Sequence, residues 1–239
     1  MADDGRATVL RDVLARDRRS DALAHRHDPS GRSYDYRRFL TTAWKAGLFL
    51  RNEGVRGGMA VAVAADPVPE ALLSFLGAGL LGATVEFEPA TLEGVKALVV
   101  PTARLGEFDA GPSTRRVGYG AEPSDPPVAY WERDVWSENP TLPPDRPATD
   151  DPLLRVGEDV YSHADLVGTA VAFADEHDLG PGDEVAIRAP LAHPGVVAGG
   201  LLAPLVAGAT VVVPDGDTET DLGVGAGPDG VTVAPDDVL

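Results

Sequence analysis

Few residues of this 239-residue chain are of a type and spacing that could do chemistry. His25-Arg26-His27-Asp28 offers two imidazoles and a carboxylate, the donors of a zinc-type site. The run is short and stands among arginines in an expected loop, so it makes a poor ligand set. Gly77-Ala78-Gly79-Leu80-Leu81-Gly82 is a literal G-x-G-x-x-G. In a dinucleotide site that motif follows a strand and opens a helix. Here it closes an apolar helical stretch and precedes a strand, which points to close helix packing instead. The acids from Asp215 to Asp221 could hold calcium loosely, but the surface charge of a salt-adapted chain is the default reading. There is no G-x-S-x-G nucleophile motif. The absence of cysteine excludes disulfides, thiol catalysis and Cys-based metal sites. His163 is read as a helix-start residue, and His193 stands beside Pro194 at a second helix start. The residues themselves assign no catalytic group, no cofactor and no metal.

The elements that would position such groups occur twice. Tyr34 to Pro89 and Tyr161 to Asp215 each run through a Tyr, a helical stretch, a Gly-rich turn and a Val/Ala strand. Each continues with a Pro, a second apolar helix and a strand opened by Gly-Ala-Thr-Val. Tyr34 and Tyr161 are 127 residues apart, and Gly82 and Gly208 are 126 apart. A period this long indicates two related α/β units rather than a solenoid. Gly82 and Gly208 should then open equivalent strands.

Periodicity predicts an amphipathic helix over 6–20, a helix over 37–52, a buried strand over 60–65 and a helix from Pro67 or Pro69 to Leu81. Strands follow at 84–87, 95–100 and 116–119. In the second copy Ser162 is an N-cap candidate, with helix over 164–175, strand at 185–189, helix over 194–205 and strands at 210–213 and 230–233. Residues 120–152 hold eight prolines and read as a linker or surface crossing. Trp131 and Trp136 are expected to pin that segment to the core. The expected organisation is a first α/β subdomain over 1–120, a crossing segment over 121–152 and a second α/β subdomain over 153–239. Alternating strands and helices imply mostly parallel sheets flanked by helices with right-handed crossovers.

The surface is strongly acidic, with 38 Asp and Glu against 20 Lys and Arg and a net charge of −18. Only Lys45 and Lys96 are lysines. Low lysine and abundant aspartate read as adaptation to high salt, where a carboxylate shell keeps a chain hydrated. The charge argues against nucleic-acid and anionic-membrane partners, which need clustered Lys and Arg. The first residues lack a secretory apolar core, and the run from Gly195 to Val213 is broken by Pro204 and four glycines. A cytoplasmic location is expected.

These blocks together resemble the opening of the adenylate-forming enzymes: acyl-CoA synthetases, peptide-synthetase adenylation domains and luciferases. Tyr34 to Pro89 resembles their first helix, turn and strand unit. Ser162-His163-Ala164-Asp165-Leu166, Pro190-Leu191-Ala192-His193 and Gly208-Ala209-Thr210-Val211-Val212 resemble three blocks that follow the family's phosphate loop. The resemblance covers about residues 7–235, the front half of a typical member. It implies a fold like the N-terminal domain of acyl-CoA synthetases, and it places His193 beside an acyl pocket as a substrate-binding residue.

The departures carry as much meaning as the matches. The family's phosphate loop is rich in Ser, Thr and Gly and ends in Pro-Lys-Gly, so that amides, hydroxyls and an ammonium cradle phosphate. The matching stretch here, Asp150 to Val160, has one Gly, four carboxylates and no Ser, Thr or Lys. Met59 stands where the family's first turn carries Asp. The family's adenine-, ribose- and Mg²⁺-binding segments have no counterpart here, so no catalytic residue is carried over. The resemblance therefore implies a non-catalytic relative, a binding or regulatory partner of a full-length or complementary acyl-CoA synthetase chain. The alternatives are a split or minimal acyl-adenylating enzyme completed by another chain, and a small acyl-ligand binding module.

Overall fold

The computed structural model describes residues 6–239. The chain opens with a short helix α1 (Leu10–Val13) and a 3₁₀ turn (Arg16–Arg18), then strands β1 (Leu23–His27) and β2 (Arg32–Asp35). Helix α2 (Tyr36–Asn52), strand β3 (Ala60–Val63), helix α3 (Pro69–Leu80), and strands β4 (Thr84–Phe87), β5 (Val95–Pro101), β6 (Arg115–Tyr119) and β7 (Ala129–Tyr130) follow. Next come α4 (Trp131–Ser137), β8 (Pro152–Val156), β9 (Asp159–Ser162), α5 (His163–Glu176) and β10 (Glu184–Ile187). A π-helix (Val196–Leu202) runs into α6 (Ala203–Ala207), and the chain closes through β11 (Thr210–Val213), β12 (Leu222–Val224) and β13 (Val231–Val233).

The fold is α/β with two mostly parallel sheets flanked by helices. One has seven strands in the order β7-β6-β5-β3-β4-β8-β9. The other has six, in the order β13-β12-β10-β11-β1-β2, parallel except where β1 meets β2. Their central strands are short, continuous apolar runs, as strands covered on both faces must be. The chain divides into two compact units. One comprises the described residues up to Leu40 together with Tyr161–Leu239, and the other Thr41–Val160. The expected first segment, 1–120, thus contributes to both units. The reason is pairing: β1 lies parallel to β11, His25 opposite Val211.

Within each unit the strand order around the first strand is the same. β3 is flanked by β4 and β5, and β6 lies beyond β5. β10 is flanked by β11 and β12, and β13 lies beyond β12. Gly82 and Gly208 both adopt left-handed backbone, with φ of 70° and 82°, which turns a helix end into a strand start at little steric cost. The amide of Thr84 then donates to Met59 O, and that of Thr210 to Asp183 O, both at 2.9 Å.

Several expectations are corrected. The helix over 6–20 is broken after one turn. Asp12 accepts from the amides of Thr8 and Val9, Ala15 is extended, and the Arg18 guanidinium leaves to donate to Leu205 O and Val206 O. Leu10, Val13 and Leu14 are buried, while Val9 is not. The helix over 194–205 is mostly π-helix. Pro204 has no amide proton, so regular i→i−4 bonding cannot run through it, and the π-helical turns end just before it, at Leu202. The 120–152 stretch contains β7 and α4. Trp131 is buried there, its Nε1 donating to Ser74 Oγ at 2.9 Å. Trp136 instead lies 73% exposed, with the Lys45 ammonium 5.1 Å from its ring centre. Among the described residues no helix is long and apolar enough to cross a membrane.

Candidate functional site

The stretch matching the phosphate loop is the first candidate. Residues 152–162 form two strands joined by two residues, Gly157 and Glu158. Gly157 has φ of 59° and Glu158 is not left-handed, the arrangement a Gly-first hairpin turn requires. A two-residue connection of this kind joins antiparallel neighbours, and it leaves no length for a cradle. Arg155 sits in β8 opposite Glu86 of β4 and makes its ion pair there, at 3.4 Å. Its guanidinium is therefore engaged along the sheet. Gly157, Glu158, Asp159 and Val160 are all exposed. The turn presents carboxylates to solvent in place of donors.

His193 opens the turn that leads into the π-helix. Its carbonyl accepts from the amides of Val196 and Val197. The Gly195 amide donates to Nδ1 at 3.1 Å, and Nε2 lies 2.9 Å from Asp236 Oδ1. This pattern makes Nδ1 the acceptor and Nε2–H the donor. Both ring nitrogens are thus used within the chain, as in a capping histidine.

His163 is fully buried as the first residue of α5, its Nδ1 accepting from the Leu10 amide at 3.1 Å. Ser162 caps the same helix, its Oγ accepting from the Asp165 amide, while Asp165 accepts from the Ser162 amide. That is the reciprocal capping box, and it holds the Asp165 carboxyl below its usual range, mainly through the Ser162 hydroxyl. His25 and His27 lie in β1, not in a loop. His25 is buried against Tyr34 and Phe39, with ring centres 6.0 and 5.3 Å away. Its Nδ1 meets Val211 O at 3.0 Å, so Nδ1 carries the proton. Among the described residues no group of three or more His, Asp or Glu is arranged to hold a metal.

The G-x-G-x-x-G run packs helices. A Cβ on Gly77 would lie 2.6 Å from Gly47 N and 2.9 Å from Ala46 C. The glycines let α3 and α2 approach backbone to backbone.

Sequence reasoning missed two charged clusters at the carboxyl ends of the strands, the side on which open α/β sheets bind ligands. At the end of β10, Arg188 forms a buried two-bonded pair with Asp229, Nε to Oδ2 at 2.8 Å and Nη2 to Oδ1 at 2.6 Å. Thr220 Oγ donates to the same carboxylate at 2.8 Å, and Arg188 also reaches Gly216 O and Thr218 O. At the ends of β3, β4 and β6 stand Asp66, Glu70, Glu88 and Tyr119. Arg104 donates to both oxygens of Glu88, at 2.7 and 3.0 Å, and to Glu107 at 2.9 Å. Glu88 itself adopts left-handed backbone, φ 47°, and its carboxyl is held low chiefly by Arg104. No sequence motif marks either cluster, because each forms only when separate strand ends meet.

No protein-family model matches the chain, and no curated protein matches it. Solved structures do. An anthranilate CoA ligase, AuaEII, bound to anthranoyl-AMP matches with a TM-score of 0.73 at 20% identity, over 87% of this chain and 45% of that one. The N-terminal domain of FACL13 from Mycobacterium tuberculosis matches with a TM-score of 0.66 at 17% identity, over 86% and 57%. The fold is that of the adenylate-forming enzymes. MatB from Rhodopseudomonas palustris shares it too, with a TM-score of 0.67 at 17% identity over 87% of this chain and 45% of its own. The chain spans about half the length of these adenylate-forming structures.

Proposed function

We propose that this chain is a non-catalytic relative of the adenylate-forming enzymes that acts as a binding or regulatory partner of an acyl-CoA synthetase chain. The observation that carries the reading is the hairpin β8–β9. Where the family keeps its phosphate loop, two residues close the turn, and the one basic residue of the matching stretch, Arg155, is paired with Glu86. A triphosphate there would face Glu158 and Asp159 rather than amides and an ammonium. Each close pair of like charges costs about 1 kcal/mol even in water, and losing a single preorganised donor in such a site commonly costs roughly a hundred- to a thousandfold in rate. The internal bonding of His193 supports the same reading, since a histidine engaged by Gly195 and Asp236 is poorly placed to contact an acyl group.

The test is calorimetry with Mg-ATP, together with pyrophosphate release over a panel of short- and medium-chain acids, in molar KCl. No ATP heat and no acid-dependent pyrophosphate are expected. Micromolar ATP affinity or acid-dependent release by the pure chain would overturn the reading in favour of a minimal adenylating enzyme.

A further inference from the structure

Strands β12 and β13 are parallel neighbours, yet only residues 225–230 join them. Parallel strands ordinarily need a dozen or more residues between them, most often including a helix. Here an irregular strap crosses the sheet instead, Gly225-Ala226-Gly227-Pro228-Asp229-Gly230. Its ends are pinned, since the Gly225 amide donates to Val233 O and the Gly230 amide to Thr220 O. Between them it is held by Asp229 and by one long bond, Thr232 Oγ to Gly227 O at 3.4 Å. Ala226, Gly227, Pro228 and Gly230 are exposed, whereas the Asp229 side chain is fully shielded.

The Asp229 carboxylate occupies a site whose donors all lie outside the strap. Arg188 Nε donates to Oδ2 at 2.8 Å and Nη2 to Oδ1 at 2.6 Å. The Thr220 amide donates to Oδ1 at 3.1 Å, and the Thr220 hydroxyl, shared with Leu222 O, lies 2.8 Å from the same oxygen. Arg188 is steadied in turn by Gly216 O and Thr218 O. Glycines leave the space above and below. A Cβ on Gly223 would overlap Asp229 Oδ2, and one on Gly227 would overlap Arg188 Nε. A fixed guanidinium fork with further donors beside it matches a planar anion in both charge and shape.

We propose that Arg188 and Thr220 form a receptor for a small planar oxyanion, that Asp229 fills it as a tethered occupant, and that the strap 225–230 is thereby a latch which a free anion of that kind releases. A group on a short flexible tether acts at roughly millimolar effective concentration, so free anion at molar concentration competes with it. An ion as small as formate can itself reach about millimolar affinity. The proposal is independent of the ATP reading, since it uses no residue of the β8–β9 hairpin.

The test uses the whole chain in molar KCl, with potassium formate exchanged for chloride at constant ionic strength. Asp229→Ala should lower the thermal midpoint, and formate should restore it saturably, half-way at about millimolar concentration. The double variant Arg188→Met with Asp229→Ala removes both charges of the pair and should show no saturable rise. In the parent, molar formate should speed hydrogen exchange at the Gly230 amide several-fold over molar chloride, because the strap lifts, and should leave the amides of β3 unchanged. This last measurement decides the matter even where Asp229→Ala does not fold. A formate response equal in the two variants, no rise over chloride in a folded Asp229→Ala chain, or a Gly230 amide indifferent to formate in the parent would each overturn the proposal.

Discussion

His25 shows how a single side chain can couple this fold to pH. It lies in the core with Nδ1–H donating to Val211 O, and Nε2 has no partner. Burial pushes its imidazole down to about 3, with the Val211 carbonyl acting the other way and His27 and Arg32 adding to the depression. The unfolded chain takes up a proton near pH 6.5, whereas the folded chain does not until about pH 3. Stability is therefore complete above pH 6.5 and is lost as pH falls towards 3, with a slope approaching about 1.4 kcal/mol per pH unit. Asparagine can keep the bond to Val211 O without titrating. Urea unfolding of His25→Asn between pH 4.5 and 7.5 should lose about one proton of pH dependence. A slope equal to the parent's would remove His25 from the account.

Glycines decide more than any other residue type at the scale of elements, and they do so in opposite directions. Gly77 lies where α3 meets α2 backbone to backbone. Gly77→Ala should destabilise by about 1–3 kcal/mol, because the overlap is with main chain that cannot swing away. Gly168 lies on the exposed face of α5, with open space where its Cβ would be. Gly168→Ala should stabilise by about 0.5–1 kcal/mol through helix propensity alone. Urea midpoints of the two variants should move apart, and a shift in the same direction would contradict the packing described for Gly77.

The same scale shows what could be read in advance. Strands β4 and β11 fall at 84–87 and 210–213 as their apolar Gly-Ala-Thr-Val openings predict. The cap at Ser162 was equally legible, because capping is local chemistry. Strand β1 was not. Leu-Ala-His-Arg-His has no apolar alternation, and it becomes a core strand only through pairing with β11. Strand β12 is three residues with a central glycine among acids. The hairpin turn at Gly157 is short enough to read from sequence once the flanking Leu-Leu-Arg-Val and Asp-Val-Tyr-Ser are taken as strands. The charged cluster around Arg104 was hidden, since Asp66, Glu88 and Arg104 come from separate stretches of chain.

For the whole molecule the controlling quantity is charge. A net charge of −18 acts against any compact state, and the repulsion is least screened at low ionic strength, where the Debye length reaches about 30 Å at 0.01 M. Molar KCl should raise the thermal midpoint substantially over dilute buffer. An unchanged midpoint would argue that the acidic surface is not a salt adaptation.

The pairing of β1 with β11 also sets a timetable. The hydrogen bond from His25 to Val211 spans 186 residues of chain, whereas the unit Thr41–Val160 is contiguous. During synthesis that contiguous unit can close as soon as Val160 has emerged. Strand β1 must wait for β11, some 53 residues later, or roughly 3 to 10 s at ordinary elongation rates. For that interval the nascent chain carries one finished unit and one unpaired hairpin strand, His25 still open to solvent and free to titrate. It is in this window on the ribosome, rather than in the finished protein, that the chain is most exposed to mispairing.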